Sequence, residues 1–379
     1  MRSILRSLLA ATACALLATP ALAQWPGLTL PPSGDNQKAT VTQHLGLVTV
    51  SVDYSSPDVH GPNGEDRTGK IWGELVPWGM ANLGFGTCGD QCPWRGGANE
   101  NTVLTVSHDV QVEGQPLPAG RYGLHFLPGP EEWTVIFSTN STSWGSYTYD
   151  AKEDALRVKV APRKNDYREW LTYEFTDRRG DRATLALMWE NLAVPFTFTV
   201  PDPVSLYVEA LRRELRSSAG FTGQNLVAAS QYCLQNQTNL AEALTWARNA
   251  ADPARFGGAE TFTTLSNLAA LEAANGLDAE AKKTTDKALS HPTATAIDIH
   301  GYARQLQAQG KQQQAMDAFL LNAQRHPDQW PVAFGLARGY AGLGKKKEAI
   351  EQARKALAQA PDEINRRNIE AFIKQLGGG

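Results

Sequence analysis

The stretch Leu192-Ala193-Val194-Pro195-Phe196-Thr197-Phe198-Thr199-Val200-Pro201-Asp202-Pro203-Val204 is where this chain changes its hydrophobic period. Leu192, Val194, Phe196, Phe198 and Val200 recur at every second position, as on one face of a strand. Beyond Pro203, Val204, Tyr207, Val208, Leu211 and Leu215 recur at three and four, as on one face of a helix. Pro201 and Pro203 cannot donate to a sheet ladder, so the strand pattern stops between them. A β-rich half therefore precedes this point and a helical half follows it, and 379 residues suffice for two domains.

Working back from Val200, alternation recurs in short runs. Val48, Val50, Val52 and Tyr54 share one face, after a strand expected over Ala39–Leu45. Val103 and Thr105 alternate with Leu104 and Val106. Tyr122, Leu124 and Phe126 point one way and Arg121, Gly123 and His125 the other. Trp133–Phe137, Leu156–Val160, Leu171–Phe175 and Leu185–Trp189 add further strands, separated by Gly- and Pro-rich turns. About nine strands with no helical period between them predict an antiparallel all-β sandwich or barrel over 39–201.

Working forward, a repeat is legible. Gly276, Gly310 and Gly344 are 34 residues apart, as are Ala269, Ala303 and Ala337, and Ala281, Ala315 and Ala349. Small residues let paired helices approach, and a glycine permits the tight turn between them. Trp330, Leu336, Ala337, Tyr340, Gly344, Ala349, Ala353, Ala356 and Pro361 resemble a tetratricopeptide repeat, and Ile299, Tyr302, Ala303, Gly310, Ala315, Phe319 and Pro327 resemble the unit before it. An earlier unit is degenerate, with Glu272 at an apolar position. The resemblance implies an all-α solenoid over 204–376, with Arg366–Leu376 as its closing helix and a concave face that binds a protein partner.

The β-rich half carries its own resemblance. Leu75-Val76-Pro77-Trp78-Gly79, Trp94-Arg95-Gly96-Gly97-Ala98-Asn99-Glu100, Pro118-Ala119-Gly120-Arg121-Tyr122-Gly123-Leu124-His125, Glu132–Phe137, Trp144-Gly145 and Asp154–Val158 are similar to the domain of unknown function 2911. The segment Met80–Pro93, with both nearby cysteines, is an insertion relative to that family. The resemblance implies bacterial origin and a secreted β-rich domain, often followed by helical repeats. It implies no activity.

Residues 1–23 read as a secretory signal peptide. Arg2 and Arg6 form its charged start, Leu8–Leu17 its apolar run and Ala21-Leu22-Ala23 its cleavage site. Residues 24–38 read as a linker. The mature chain is then periplasmic or secreted. The apolar run is too short to span a bilayer, and no later stretch is apolar enough. A formal net charge of −3 offers no basic surface for nucleic acid. In an oxidising compartment Cys88 and Cys92 form a candidate disulfide.

Candidate ligand-binding residues are Trp94, Arg95, Asn99, Glu100 and His125. An indole face, a guanidinium, an amide and a carboxylate at a strand mouth can hold a small molecule, a glycan or a peptide. The plainer alternative pairs Arg95 with Glu100 and uses Asn99 to satisfy the turn. Trp72, Trp78, Trp133, Trp144 and Trp189 are candidates either for core or for a carbohydrate platform. The histidines show no metal-ligand spacing, and no phosphate loop or dinucleotide fingerprint is present, so no metal and no cofactor are expected. The favoured function is non-enzymatic: a ligand-binding β domain joined to a protein-binding repeat domain, an adaptor or scaffold in the cell envelope. The alternative is an envelope hydrolase acting on glycan or peptide, with Glu100 or His125 as acid or base, or with Glu100 paired to Glu174 or Asp53.

Overall fold

In the computed structural model the described residues are 36–61 and 63–378. The expected leader, residues 1–23, and the linker as far as residue 35 lie outside them. The chain divides into two compact units, Met1–Pro201 and Asp202–Gly379.

The first unit is two antiparallel sheets. Its strands are β1 (Gln37–Leu45), β2 (Val48–Ser56), β3 (Thr102–Val106), β4 (Val110–Val112), β5 (Gln115–Leu117), β6 (Gly120–Leu127), β7 (Trp133–Ser138), β8 (Asp154–Val160), β9 (Arg163–Thr176) and β10 (Arg182–Thr199). One sheet runs β1-β2-β3-β6-β7-β8 and the other β5-β4-β10-β9. Their inner faces meet ring to ring: Tyr54 on β2 lies 4.9 Å from Tyr173 on β9, and Phe126 and Phe137 lie 6.3 and 6.1 Å from Phe196 on β10. This is a sandwich, with Val50, Val52, Leu104, Leu124 and Leu187 in its core.

Two expectations change. The linker ends before residue 38, because Gln37 and Lys38 already pair with Ser56 and Ser55. The runs Leu185–Trp189 and Leu192–Val200 are one strand, β10, rather than two. Its register against β9 shifts on either side of Glu190, whose φ is 51°. At each shift two residues of β10 face four of β9, and across left-handed Glu190 the inward positions pass from odd to even numbers, which is why the run looks broken.

The second unit is helical: α1 (Pro203–Glu214), α2 (Gly223–Gln235), α3 (Leu240–Ala251), α4 (Phe262–Ala274), α5 (Asp278–Ser290), α6 (Ala296–Ala308), α7 (Gln312–Arg325), α8 (Trp330–Gly342), α9 (Lys346–Ala358) and α10 (Glu363–Gln375). Gly276, Gly310 and Gly344 all have φ between 73° and 77° and join α4 to α5, α6 to α7 and α8 to α9. Ala303, Ala315, Ala337, Ala349 and Ala353 are buried where helices cross, and Phe319 fills the space between α6 and α8. These are stacked helical hairpins of a tetratricopeptide-like solenoid. Cys233 is free and buried among α2 and α3. Among the described residues no helix is long and apolar enough to cross a membrane.

Candidate functional site

The Trp94–Glu100 segment enters beside β6. Trp94 exchanges both backbone hydrogen bonds with Phe126, its N–H donating at 2.9 Å and its carbonyl accepting at 2.7 Å. That pairing turns its indole inward. It stacks at 6.3 Å on Trp189, and meets Trp72 edge to face at 5.7 Å and Trp133 at 6.2 Å. Trp94 is therefore half-buried in a cluster of four tryptophans rather than offered as a free stacking face. Of the other candidate platform residues, Trp133 and Trp189 are core, while Trp78 and Trp144 are exposed.

Two glycines then press the chain against both sheets. Gly96 has φ 62°, and a Cβ on it would lie 2.4 Å from the Phe126 ring and 2.6 Å from the Tyr173 hydroxyl. Tyr173 and Thr102 both donate to the Gly96 carbonyl, at 2.8 and 3.2 Å. A Cβ on Gly97 would lie 2.9 Å from the Ser55 carbonyl, which accepts the Ala98 N–H at 2.9 Å.

Arg95 does not pair with Glu100, contrary to that expectation. Its Nη1 donates to the Asn99 carbonyl at 2.5 Å, inside its own loop, and its guanidinium lies over the Tyr147 ring at 5.1 Å. Gly145 is the reason it fits: a Cβ there would stand 2.5 Å from the Arg95 Cζ. Asn99 turns the chain with φ 57°, a conformation asparagine tolerates, and its side chain accepts from Asn36 at 3.3 Å. Glu100 points to solvent, 2.9 Å from Lys38, and accepts from Ser55. The Lys38 ammonium, more than any other group, holds its carboxyl below the usual range.

His125 faces away from the inter-sheet core, yet it is only 2% exposed. The segment after β7 covers it, where Ser146 Oγ lies 2.9 Å from its Nδ1 and Tyr149 stands edge-on at 5.3 Å. Gly123 allows that cover, since a Cβ on it would strike the Asn140 carbonyl at 2.2 Å. Burial, and then the nearby Arg95 charge, pull the His125 imidazole down to about 4, so it is neutral at ordinary pH. Cys88 and Cys92 are joined as a disulfide and pack with Tyr149 and Ile136 in the same cover.

A cavity of about 320 Å³ opens beside this loop, lined among others by Trp94, Arg95, Asn99, Arg67, Leu75 and Trp189. Neither Glu100 nor His125 lines it. The proposed acid and base thus do not meet in this cavity, and both pKa values move away from what neutral-pH proton transfer needs. The suggested carboxylate pairs are separately engaged: Glu174 with Arg168 at 3.0 Å, and Asp53 accepting from Thr40 at 2.6 Å. Among the described residues no group of three or more His, Cys, Asp or Glu could hold a metal ion.

Glu190 was not among the candidates. It is buried at the β10 bulge and accepts the Gly69 N–H, tying the Ser55–Lys70 loop to the sheet. Glu169 does the same from β9, accepting from Val59 N–H at 3.1 Å, His60 N–H at 2.8 Å and the Tyr167 hydroxyl at 2.6 Å. The odd-to-even phase change at residue 190 was the available signal for the bulge.

In the helical unit, a second cavity of about 520 Å³ is lined only by α6, α8 and α10. These are alternate helices of the stack, the first member of successive hairpins and the closing helix. Arg304, Arg338, Asn368 and Phe372 line it, with no Asp or Glu. A third, of about 570 Å³, lies among α4, α5 and α6.

The molecule is therefore a β-sandwich followed by tetratricopeptide-like helical hairpins. Residues 36–198, the sandwich, match the model of the family described as "Protein of unknown function (DUF2911)". The helical hairpins resemble the crystal structure of MamA at 13% identity and a TM-score of 0.29, covering 41% of this chain and 88% of that one. A tetratricopeptide repeat protein from Parabacteroides merdae ATCC 43184 is similar at 17% identity and a TM-score of 0.30, over 41% of this chain and 60% of that one. YrrB, described as a TPR protein with an unusual peptide-binding site, is similar at 14% identity and a TM-score of 0.29, over 45% and 84%. The repeat architecture of this chain stands on its own helices and its 34-residue spacing. No curated protein sequence matches the chain.

Proposed function

We propose that this chain is a non-enzymatic adaptor of the cell envelope whose helical unit binds a segment of a partner protein. One observation carries the reading. The cavity on α6, α8 and α10 is built from alternate helices alone, so consecutive hairpins contribute one shared, open face along which a segment can lie. The leader expected over 1–23 and the Cys88–Cys92 disulfide support an oxidising, extracytoplasmic location. The sandwich contributes a smaller site beside Trp94, Arg95 and Asn99, suited to a small molecule or glycan that meets two indoles and a few amides. The hydrolase alternative gains no supporting observation from the positions of Glu100 and His125.

The test is site-specific photo-crosslinking on the full mature chain. A photoreactive residue at exposed, cavity-lining Asn368 should capture a discrete envelope protein. Ala371→Trp, which fills the cavity from an exposed helix position, should abolish the capture while the circular dichroism spectrum is unchanged. Equal capture by both chains would overturn the reading.

A further inference from the structure

The cavity on α6, α8 and α10 holds positive charge that no Asp or Glu of its lining neutralises. Arg304 and Arg338 have no ion-pair or side-chain hydrogen-bond partner among the described residues, and the Arg338 Nε is buried without an acceptor. Leaving a guanidinium donor dry costs free energy that a folded chain normally recovers with a carboxylate or carbonyl. Here the aromatic floor does only half of that. Arg338 Cζ lies 4.4 Å from the Phe334 ring centroid and 5.4 Å from that of Phe372. A guanidinium over aromatic rings gains cation–π attraction without spending its N–H donors, which leaves the Arg338 Nη donors for an acceptor.

The acids at the start of α10 are already used, Glu363 by Arg367 at 3.1 Å, and Glu370, next to Ala371, does not line the cavity. Asp362 caps that helix, accepting from the Asn365 N–H and its Nδ2, both at 2.8 Å. His300 adds a third basic group. Its Nδ1 lies 2.9 Å from the Pro331 carbonyl, and burial first, then Arg338 and Arg304, hold its imidazole down at about 4. Arg304 and Arg338 are also 34 residues apart, so they stand at the same position of successive repeats. A ligand lying along the stack meets them in turn, one guanidinium per hairpin. That periodicity suits carboxylates spaced along a chain better than one terminal carboxylate.

Resting on the adaptor reading above, we infer that this cavity binds an acidic peptide segment, with successive Asp or Glu side chains on Arg304 and Arg338 and with Asn368 as a further donor. Occupancy would place carboxylate acceptors on the open donors of Arg338 and offset the repulsion between the two arginines. Because the charges are only partly buried, affinity should fall as salt rises.

The test is fluorescence anisotropy on the full mature chain with three labelled hexapeptides. They are hexaglutamate and hexaglutamine with blocked ends, and hexaglutamine with a free C-terminal carboxylate. Blocked hexaglutamate should bind at least tenfold more tightly than either glutamine peptide. That margin should shrink severalfold between 50 and 300 mM salt. The Arg304→Gln/Arg338→Met variant should lose at least tenfold toward hexaglutamate, and its His300 resonances should no longer move downfield on adding that peptide. No binding of hexaglutamate, binding unchanged by the double substitution, or preference for the free-carboxylate glutamine peptide would each overturn the inference. If the double variant still crosslinks its partner while Ala371→Trp does not, the acidic-segment inference falls and the adaptor reading stands.

Discussion

Arg95 in the sandwich and Arg338 in the helical unit invite comparison. Both lie over aromatic rings, Arg95 at 5.1 Å from Tyr147 and Arg338 at 4.4 Å from Phe334. Arg95 spends its hydrogen bond inside its own loop, on the Asn99 carbonyl, with Gly145 beneath it. Arg338 has a buried Nε with no acceptor and a second unpaired arginine nearby, and burial, then that like charge, pull it down to about 10. The first arginine is a structural clasp. The second guanidinium has no hydrogen-bond or ion-pair partner among the described residues. A polar motif conspicuous in sequence is therefore not by itself a site; what separates the two is whether the fold satisfies it.

Backbone packing gives the largest expected contrast. Gly96→Ala adds a Cβ 2.4 Å from Phe126 at a left-handed residue, and should cost about 4 kcal/mol or more, enough to prevent folding of the sandwich. Gly310→Ala, with a similar φ but open space around it, should cost only about 1 kcal/mol. Chemical denaturation of both variants checks the difference, and equal losses would mean the Trp94 loop is not clamped between the sheets.

The two depressed histidines sharpen it next. His125 and His300 are both held near 4, below the 6.5 of an unfolded chain, so each favours the folded state above that value. As pH falls from 6.5 toward 4 the unfolded chain takes up protons that the folded chain refuses, and stability declines. For His125 the loss is on the order of 3 kcal/mol. His125→Gln should flatten denaturation midpoints across that window. An acidic ligand should raise the His300 value toward normal and leave that of His125 alone, because only His300 faces the unpaired arginines. Midpoints that track pH identically in wild type and His125→Gln would refute the assignment for His125.

The smallest effect is the most direct. Arg95→Met should cost about 2 kcal/mol, since it strands the Asn99 carbonyl and empties the space over Gly145. Arg338→Met should leave stability within about 1 kcal/mol of wild type, or raise it, because it removes an unpaired, partly buried charge and keeps the contact with Phe334 and Phe372. Thermal unfolding of the pair decides whether the two arginines differ as described.

Much of the architecture was legible in the residues. Period two through Val200 and period 3.6 from Val204 mark where strand gives way to helix, because side-chain direction follows directly from backbone geometry. The glycines at 276, 310 and 344 mark the turns, because few other residues adopt φ near 75° without strain. The Cys88–Cys92 bridge spans so few residues that proximity in sequence was proximity in space.

The bulge at Glu190 was harder, since a change of side-chain phase looks like a strand break until the partner strand is known. The site was harder still. Trp94, Arg95, Asn99, Glu100 and His125 were named together, but the fold sends Trp94 into the tryptophan cluster, Glu100 to Lys38 and His125 beneath Ser146. Arg304 and Arg338 drew no notice, because a lone arginine on a helix is unremarkable in sequence. Local periodicity depends on neighbours in the chain, so the sequence by itself determined the strands, the hairpin repeat and the point where one gives way to the other. Whether a charge is paired, covered or left open depends on residues brought in from distant elements, and only the tertiary structure decided that.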